Sequence, residues 1–231
     1  MKVYAIGDLH LGFNMNKPMD IFGERWENHV ERLKKAWENY IAHDDLVILC
    51  GDLSWGMRLE EAKVDLDFVS QLPGYKVCIK GNHDFWWEKI GVLNQLYENM
   101  YFIQNKAYLV DEWAICGTRG WAIQEAMTQE DRKIYEREHM RLKLSLDDAV
   151  AKGAKEIIVA LHYPPTNEKN ESSLFTELIQ GYPVSHIVYG HLHDEKAWSV
   201  SRQGTYNQQY YHLVAADYID FNPKQILEIK D

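Results

Sequence analysis

Short and almost purely apolar segments recur along this chain, and they restrict what it can fold into. Runs such as Leu46–Cys50 and Glu156–Leu161 are rich in Val, Ile and Leu. They lack the alternation of a strand that faces water on one side, so they belong in sheets covered on both faces. The strand-like runs are Val3–Ile6, Leu46–Cys50, Lys76–Ile79, Tyr101–Ile103, Ala107–Val110, Trp113–Cys116, Glu156–Leu161, His186–Tyr189, Tyr210–Ala215 and Gln225–Ile229.

Segments with helical spacing of apolar residues separate these runs. In the first of them, Trp26, Val30, Leu33 and Trp37 recur every three or four residues. Strands and helices alternate in the first half of the chain and strands cluster near its end. This order predicts an α/β layered fold with mixed sheets, in which ligands bind at the carboxyl ends of strands. Helices are predicted for Asp20–His43, Leu59–Leu72, Phe85–Tyr97 and Gln129–Lys152.

Five of the apolar runs are followed directly by residues that can bind metal ions. The residues in question are Asp8 with His10, Asp52, Asn82 with His83 and Asp84, His162, and His191 with His193. Glycines precede several of them, and glycine lets the backbone turn sharply. If the strands are roughly parallel, all five ends meet at one edge of the sheets, and the side chains form one site.

The residue types at these five positions favour divalent metal ions. Imidazole nitrogen suits Zn, Fe, Ni and Mn, whereas carboxylate and amide oxygens suit Mn, Mg and Fe. Seven of these residues are the candidate ligands: Asp8, His10, Asp52, Asn82, His162, His191 and His193. Seven ligands are too many for one tetrahedral ion and about right for two ions, with one carboxylate able to bridge them. Cysteine ligands are absent from the pattern, which disfavours a structural zinc site.

Each motif taken alone has a simpler interpretation. A Gly-Asp pair after a strand is usually a turn, and Gly81-Asn82-His83-Asp84 could be a loop with an Asx turn. His191 and His193 could be a pair on one face at a strand end. Turns alone do not account for five such elements that together hold 5 of the 10 histidines. The combination therefore favours a metal site.

The order of these motifs resembles the calcineurin-like metallophosphoesterase superfamily, over residues 8 to 193. The resemblance implies a four-layer α/β/β/α sandwich, two mixed sheets flanked by helices, as a single domain over residues 1–231. It also implies two divalent metal ions, of which Mn, Fe, Zn and Ni are the candidates. It assigns Asp8, His10 and His193 to the first metal, Asn82, His162 and His191 to the second, and Asp52 to both.

The same resemblance implies a mechanism. A hydroxide that bridges the two metals attacks phosphorus in line, and His83 is similar to the family's catalytic histidine, which can protonate the leaving oxygen. The protein Ser/Thr phosphatases of the superfamily extend Gly-Asp with further Asp and Arg residues. Here Gly51-Asp52-Leu53-Ser54-Trp55-Gly56 lacks them, which disfavours a protein phosphatase of that type.

Arg119 is a candidate for binding the substrate phosphate, because it follows a strand and a guanidinium group matches phosphate oxygens. A solvated arginine in a turn is an equally weighted alternative. Trp55, Trp86, Trp87 and Trp121 lie near the motif loops and could stack on an aromatic group of the substrate, although core packing is the simpler interpretation for most of them.

Composition and charge indicate in which cellular compartment the protein works and which binding partners are disfavoured. The formal charge of −10 gives no general attraction for nucleic acid or anionic membranes. Cys50, Cys78 and Cys116 are widely spaced in apolar runs, which indicates reduced core residues. With neither a signal segment nor a long apolar stretch, the prediction is a cytoplasmic protein without membrane partners. The sequence leaves its oligomeric state open.

The leading functional prediction is therefore a metal-dependent hydrolase of a small phosphomonoester or phosphodiester. A non-catalytic metal-binding scaffold of the same fold is the main alternative, and the presence of every expected ligand and of His83 disfavours it. A nuclease is the third possibility, and the acidic chain without a basic stripe disfavours it.

Overall fold

The computed structural model of this protein describes residues 1–124 and 126–230. Its helices are α1 (His29–Tyr40), α2 (Leu59–Gln71), α3 (Ile90–Leu93), α4 (Gln129–Ala151), α5 (Leu174–Ile179) and α6 (Glu195–Val200), with two 3₁₀ helices at Met19–Phe22 and Glu24–Trp26. Its strands are β1 (Lys2–Ile6), β2 (Leu46–Leu49), β3 (Tyr75–Cys78), β4 (Met100–Phe102), β5 (Tyr108–Val110), β6 (Trp113–Thr118), β7 (Glu156–Leu161), β8 (Val184–Tyr189), β9 (Gly204–Tyr206), β10 (Gln209–Leu213) and β11 (Lys224–Glu228).

The strands form two mixed sheets. The first has the order β11-β1-β2-β3-β4, in which only β11 runs antiparallel to its neighbour. The second has the order β5-β6-β7-β8-β10-β9, with four parallel strands in the middle and an antiparallel strand at each edge. The predicted mixed sheets are therefore confirmed.

Three apolar layers hold the sheets and helices together. Alternate residues of β1 point in opposite directions: Val3 and Ala5 pack between the two sheets, and Tyr4 and Ile6 pack towards the outside. Helices α1 and α2 cover the outer face of the first sheet, and α4 and α5 cover that of the second. Central strands such as β2 are apolar throughout because both of their faces are covered. The four-layer α/β/β/α sandwich is confirmed.

The long predicted helix is confirmed as α4, which packs on the second sheet. Thr128 caps its first turn by accepting a hydrogen bond from the Asp131 amide at 3.0 Å. Gly153 follows its end with a φ of 86°, a conformation that glycine adopts without strain. Helix α2 ends at Gln71, within one residue of its predicted end.

Two of the predicted helices are wrong in extent. The segment predicted as one helix from Asp20 to His43 is interrupted by Gly23, whose φ of 117° is incompatible with a helix, and α1 begins only at His29. The segment 85–97 contains a single helical turn, Ile90–Leu93. The sequence analysis did not predict β9, α5 or α6.

Cys50, Cys78 and Cys116 are free thiols in the buried core, as predicted. Among residues 1–124 and 126–230, no helix has the length and apolar character needed to span a bilayer.

Candidate metal centre

The candidate ligands lie in loops at the carboxyl ends of parallel strands from both sheets. They are Asp8 and His10 after β1, Asp52 after β2, Asn82 after β3, His162 after β7, and His191 and His193 after β8. Gly7 joins the two sheets here, because its amide donates to the Val214 carbonyl at 2.8 Å and its carbonyl accepts from the Ala216 amide at 3.0 Å. This junction brings the strand ends of both sheets to one place.

The backbone is strained at four of these residues. Asp8, His10, Asp52 and His191 have φ values of 59°, 45°, 53° and 73°. Residues with a Cβ seldom adopt this left-handed region, and such strain concentrates at functional sites. Neighbouring hydrogen bonds hold the loops in this form: the Asp8 amide donates to the Gly51 carbonyl at 2.9 Å, and the His10 amide donates to the Asp52 carbonyl at 3.0 Å.

Four atoms with lone pairs converge around the His162 ring. The Nδ1–H of His162 donates to the Cys50 carbonyl at 2.9 Å, which leaves Nε2 with its lone pair. That Nε2 lies 2.6 Å from Asn82 Oδ1, 3.2 Å from His191 Nδ1 and 3.4 Å from Asp52 Oδ2. Acceptor atoms packed this closely repel one another unless a proton or a cation lies among them.

A second group of ligand atoms surrounds Asp8. Asp8, His10 and His193 each offer one atom within 4.8 Å of the others, and Asp8, Asp52 and His162 do the same. Asp8 Oδ1 is 3.7 Å from His193 Nε2, and Asp52 Oδ2 is 3.9 Å from His10 Nε2. Because Asp52 Oδ2 also lies near His162, one carboxylate adjoins both groups.

Two buried atoms of this cluster lack a hydrogen-bond partner among the described residues. They are Asp8 Oδ1 and His10 Nδ1. A buried polar atom without a partner costs about 1–3 kcal/mol, so each such atom calls for an explanation. The Asp8 oxygen and its neighbouring imidazoles form the donor set that a divalent cation prefers, so the residues present fit a metal ion.

Burial shifts the pKa of the imidazoles and of the carboxylates in opposite directions, each towards its neutral form. It lowers the pKa of His10 well below its usual value and that of His162 to about 3, so both imidazoles are neutral and keep a lone pair. Burial also raises the pKa of Asp8 well above its usual value and that of Asp52 to about 6. A divalent cation bound nearby would offset the cost of desolvating the two carboxylates and so favour their charged form.

Asp217 is a functional candidate that the sequence analysis missed. It is buried just after β10, and its Oδ1 accepts a hydrogen bond from His193 Nδ1 at 3.0 Å. Although burial alone would lower the pKa of His193, the hydrogen bond to Asp217 and then the charge of Asp8 raise it to about 9. Asp217 thus orients the His193 ring so that Nε2 faces Asp8.

We expect Asp217→Asn to weaken metal binding by about 10- to 100-fold, the usual effect of losing the carboxylate that orients a ligand histidine. An asparagine of the same shape can turn its NH₂ towards His193 and so select the other tautomer. Titration with Mn²⁺ measures the affinity. Wild-type affinity in Asp217→Asn would contradict the orienting role.

Asp84 organises the backbone of the same loops. Its carboxylate accepts hydrogen bonds from the amides of Asp52 at 2.8 Å, Leu53 at 2.9 Å and Gly81 at 2.7 Å, and from Trp86 Nε1 at 3.0 Å. Burial, and then the charge of Asp52, raise the pKa of Asp84 to about 7 despite these donors. Asp84 is therefore a buried anchor beneath Asp52 and not a ligand.

Two glycines are required by close approach to the carboxylates. A Cβ on Gly190 would lie 2.2 Å from Asp8 Oδ2, and one on Gly81 would lie 2.0 Å from Asp52 Oδ1. Each carboxylate rests on the backbone at these positions, where the His191 amide donates to Asp8 at 2.9 Å and the His83 amide donates to Asp52 at 2.7 Å. No larger residue leaves room for this arrangement.

A cavity of about 380 Å³ opens over the cluster, and His83 is part of its wall. The rest of the lining is His10, Met19, Phe22, Trp26, Asp52, Trp55, His191 and His193. The ring of Trp55 stacks on His10 with centroids 4.7 Å apart and lies at the same distance from His83. Trp55 is thus a wall of the site, whereas Trp86 is buried in the core, as the simpler interpretation predicted.

The structure places Arg119 beside the cluster without directing its side chain into this cavity. Its backbone carbonyl accepts from the amides of His162 at 3.2 Å and Tyr163 at 3.0 Å. Its guanidinium lies over the Trp121 ring at 4.7 Å and 3.9 Å from Glu138 Oε1. It is largely buried, so it is not the solvated turn arginine of the alternative interpretation.

A four-layer sandwich with carboxylate, imidazole and amide groups at the shared edge of its sheets defines an α/β protein with a candidate metal-binding site. The family comparison agrees: a model described as calcineurin-like phosphoesterase matches residues 1–195, and the chain belongs to that family. Its members are generally hydrolases of phosphoesters and typically bind divalent metals, for which the cluster supplies candidate ligands.

Two curated proteins are similar to parts of the chain. Gene 66 protein of Mycobacterium phage L5 is 35% identical over 77 residues, which are 33% of this chain and 37% of the phage protein. Uncharacterized protein MJ1445 of Methanocaldococcus jannaschii is 31% identical over 123 residues, which are 50% of this chain and 68% of that protein. Thus the match spans little more than a third of the phage protein.

Among solved structures, the Aquifex aeolicus protein of unknown function AQ665 has a TM-score of 0.47 and 13% sequence identity, with 97% of this chain and 95% of that chain covered.

Proposed function

We propose that this protein is a phosphoester hydrolase that uses two divalent metal ions and acts on a small phosphomonoester or phosphodiester. The observation that carries the proposal is the convergence of lone-pair atoms on His162 Nε2 from Asn82, His191 and Asp52, beside a second group around Asp8. A cavity of about 380 Å³ suits a small substrate rather than a folded protein.

The ligands divide into two sets that share one carboxylate. Asp8, His10 and His193 would hold one ion, Asn82, His162 and His191 would hold the other, and Asp52 would contact both. Mn, Fe, Zn and Ni are the candidate ions for this mixed nitrogen and oxygen set. Bound there, a metal pair supplies Lewis acidity and an activated water.

The protein's own groups would orient the substrate and move a proton. His83 is anchored through its amide on Asp52 at 2.7 Å, and its ring borders the cavity next to Trp55. It would donate a proton to the leaving oxygen as the ester bond breaks. The apolar walls formed by Trp26, Trp55 and Phe22 would exclude water around the leaving group.

The function is tested by assaying the purified protein with Mn²⁺ on p-nitrophenyl phosphate and on bis-p-nitrophenyl phosphate. Metal-dependent release of p-nitrophenol from either compound supports hydrolysis and separates monoesterase from diesterase. No turnover with any of the candidate ions, in a protein that binds metal, would contradict the enzyme and favour a scaffold. Cleavage of an oligonucleotide in preference to both compounds would favour a nuclease.

A further inference from the structure

A cluster of positive charge surrounds a buried glutamate on α4. Glu138 Oε2 accepts from Thr118 Oγ1 at 2.6 Å, and its Oε1 is shared by several guanidinium groups. Arg137 donates to Oε1 at 3.0 and 3.1 Å, Arg141 donates at 2.8 Å, and Arg119 lies at 3.9 Å. One carboxylate balances only one of these three charges.

The cluster adjoins the loops that carry two candidate metal ligands. Lys80 directly precedes the Gly81-Asn82 turn, and the Arg119 carbonyl holds the His162 amide at 3.2 Å. Lys80 lies within electrostatic range of Arg119, Arg141 and Glu138. Four cationic side chains therefore gather next to the metal centre in a protein whose formal charge is −10.

Two of these cationic side chains are open to solvent, and the positive charges of the cluster are incompletely paired. The side chain of Arg137 is 51% exposed and that of Arg141 is 30% exposed, so a solute can reach both. Arg119 Nε is buried and has no hydrogen-bond partner in the part of the chain that the structure describes. The charge of Asp84 also attracts Lys80, but the Asp84 carboxylate already accepts hydrogen bonds from backbone amides, including that of Asp52. Positive charge remains in excess.

We propose that Lys80, Arg119, Arg137 and Arg141 form a subsite for a second anionic group, a phosphate or a carboxylate, of the substrate. Guanidinium forks match the oxygens of such groups, and the lysine adds a point charge. The assignment of this subsite to the substrate rests on the proposed function. The preferred substrate would carry one phosphoester at the metal centre and a second negatively charged group at the subsite. Binding of an anion by the cluster does not depend on hydrolysis.

Calorimetric titration of the full chain with inorganic phosphate, in the presence of a chelator, tests the subsite without the metals. We expect saturable binding at one site, which weakens as salt rises and falls at least about tenfold in Arg137→Gln and in Lys80→Gln. Both variants leave Arg141 and Thr118 on Glu138, so the buried carboxylate stays paired. Arg132→Gln, an exposed arginine on the same helix, is the matched control.

Loss of phosphate binding in Arg137→Gln and Lys80→Gln, with retention in Arg132→Gln and unchanged melting temperatures, supports the subsite. Absence of saturable binding in the wild type, or equal affinity in all four proteins, would overturn it. If Arg132→Gln abolished phosphate binding as completely as Arg137→Gln and Lys80→Gln do, the bound phosphate would be an adventitious ion only, and the subsite would also be overturned.

A matched pair of substrates distinguishes a substrate group from free phosphate. Thymidine 5′-(p-nitrophenyl phosphate) with and without a 3′-phosphate has the same scissile bond and leaving group. We expect a KM at least about tenfold lower for the 3′-phosphorylated compound, and a ratio near one in Arg137→Gln. Equal KM values in the wild type would overturn the substrate assignment. No turnover of either compound, with phosphate binding intact, would contradict the proposed function and leave the anion site standing.

Discussion

The Asp52→Asn variant is expected to lose at least about a thousandfold in kcat/KM, or about 4 kcal/mol of transition-state stabilisation. Asp52 Oδ2 lies 3.4 Å from His162 Nε2 and 3.9 Å from His10 Nε2, so its charge serves both groups of ligands. Asparagine has the same shape but no charge, so it cannot hold two cations close together. Steady-state assays with Mn²⁺ and metal analysis of the same sample measure the two effects.

The design of this variant separates chemistry from folding. The Asp52 backbone amide donates to Asp84, and this hydrogen bond survives the substitution. The side-chain oxygen of an asparagine can also still accept the hydrogen bond from the His83 amide. Asp44→Asn removes an equal charge from an exposed position and is the control. Activity within about threefold of wild type in Asp52→Asn, with both metals retained, would contradict a shared ligand.

The second large effect is expected from His83→Asn, which should lower kcat by about 10²–10⁴-fold, the usual contribution of a general acid. The loss should depend on the leaving group. An alkoxide needs a proton as the bond breaks, whereas p-nitrophenolate leaves readily without one. We therefore expect the defect to be larger for an alkyl phosphoester than for the p-nitrophenyl ester, with metal content unchanged.

His43→Asn, at an exposed position after α1, is the matched control and should behave as wild type. A merely structural role for His83 would lower the rates for both leaving groups by the same factor. Equal losses for the alkyl and p-nitrophenyl esters would therefore argue against proton donation.

The sequence predicted the strand ends well because their physical signal is local. A buried strand in a two-sided sheet is apolar throughout, so Asp8 after β1 and Asp52 after β2 stand out as the first charged residues. Parallel strands of each sheet then bring such residues to one edge. Gly7 completes the arrangement by joining the sheets, a contact that no local pattern indicates.

Asp217 was missed because its role depends on a contact between distant residues. It follows β10, and the pattern of an apolar run ending in Ala215-Ala216-Asp217 is the signal that could have found it. An aspartate after an apolar run is a weak signal of a metal site when no histidine or asparagine stands beside it, as is the case for Asp217. Its partner His193 lies 24 residues away, and only the pairing of β10 with β8 brings the two side chains together.

Two segments around the site, 20–28 and 85–97, were predicted to be helical from the spacing of their apolar residues, but tertiary contacts override that local pattern. Trp86 is buried, and its Nε1–H donates to Asp84 at 3.0 Å, so the chain after the Asn82 loop follows this anchor instead of a helix. Met19 and Trp26 line the cavity from two short 3₁₀ helices, and Gly23 between them has a φ of 117°, which lies outside the helical region. Helices α5 and α6 escaped notice because each has only six residues.

The metal content of the purified, Mn²⁺-saturated protein is the most direct test of the account. Equilibrium dialysis followed by elemental analysis should find about two ions per chain, removable by a chelator and reduced in Asp52→Asn. A protein that takes up a single ion, or none, under conditions in which it is folded would contradict the paired site.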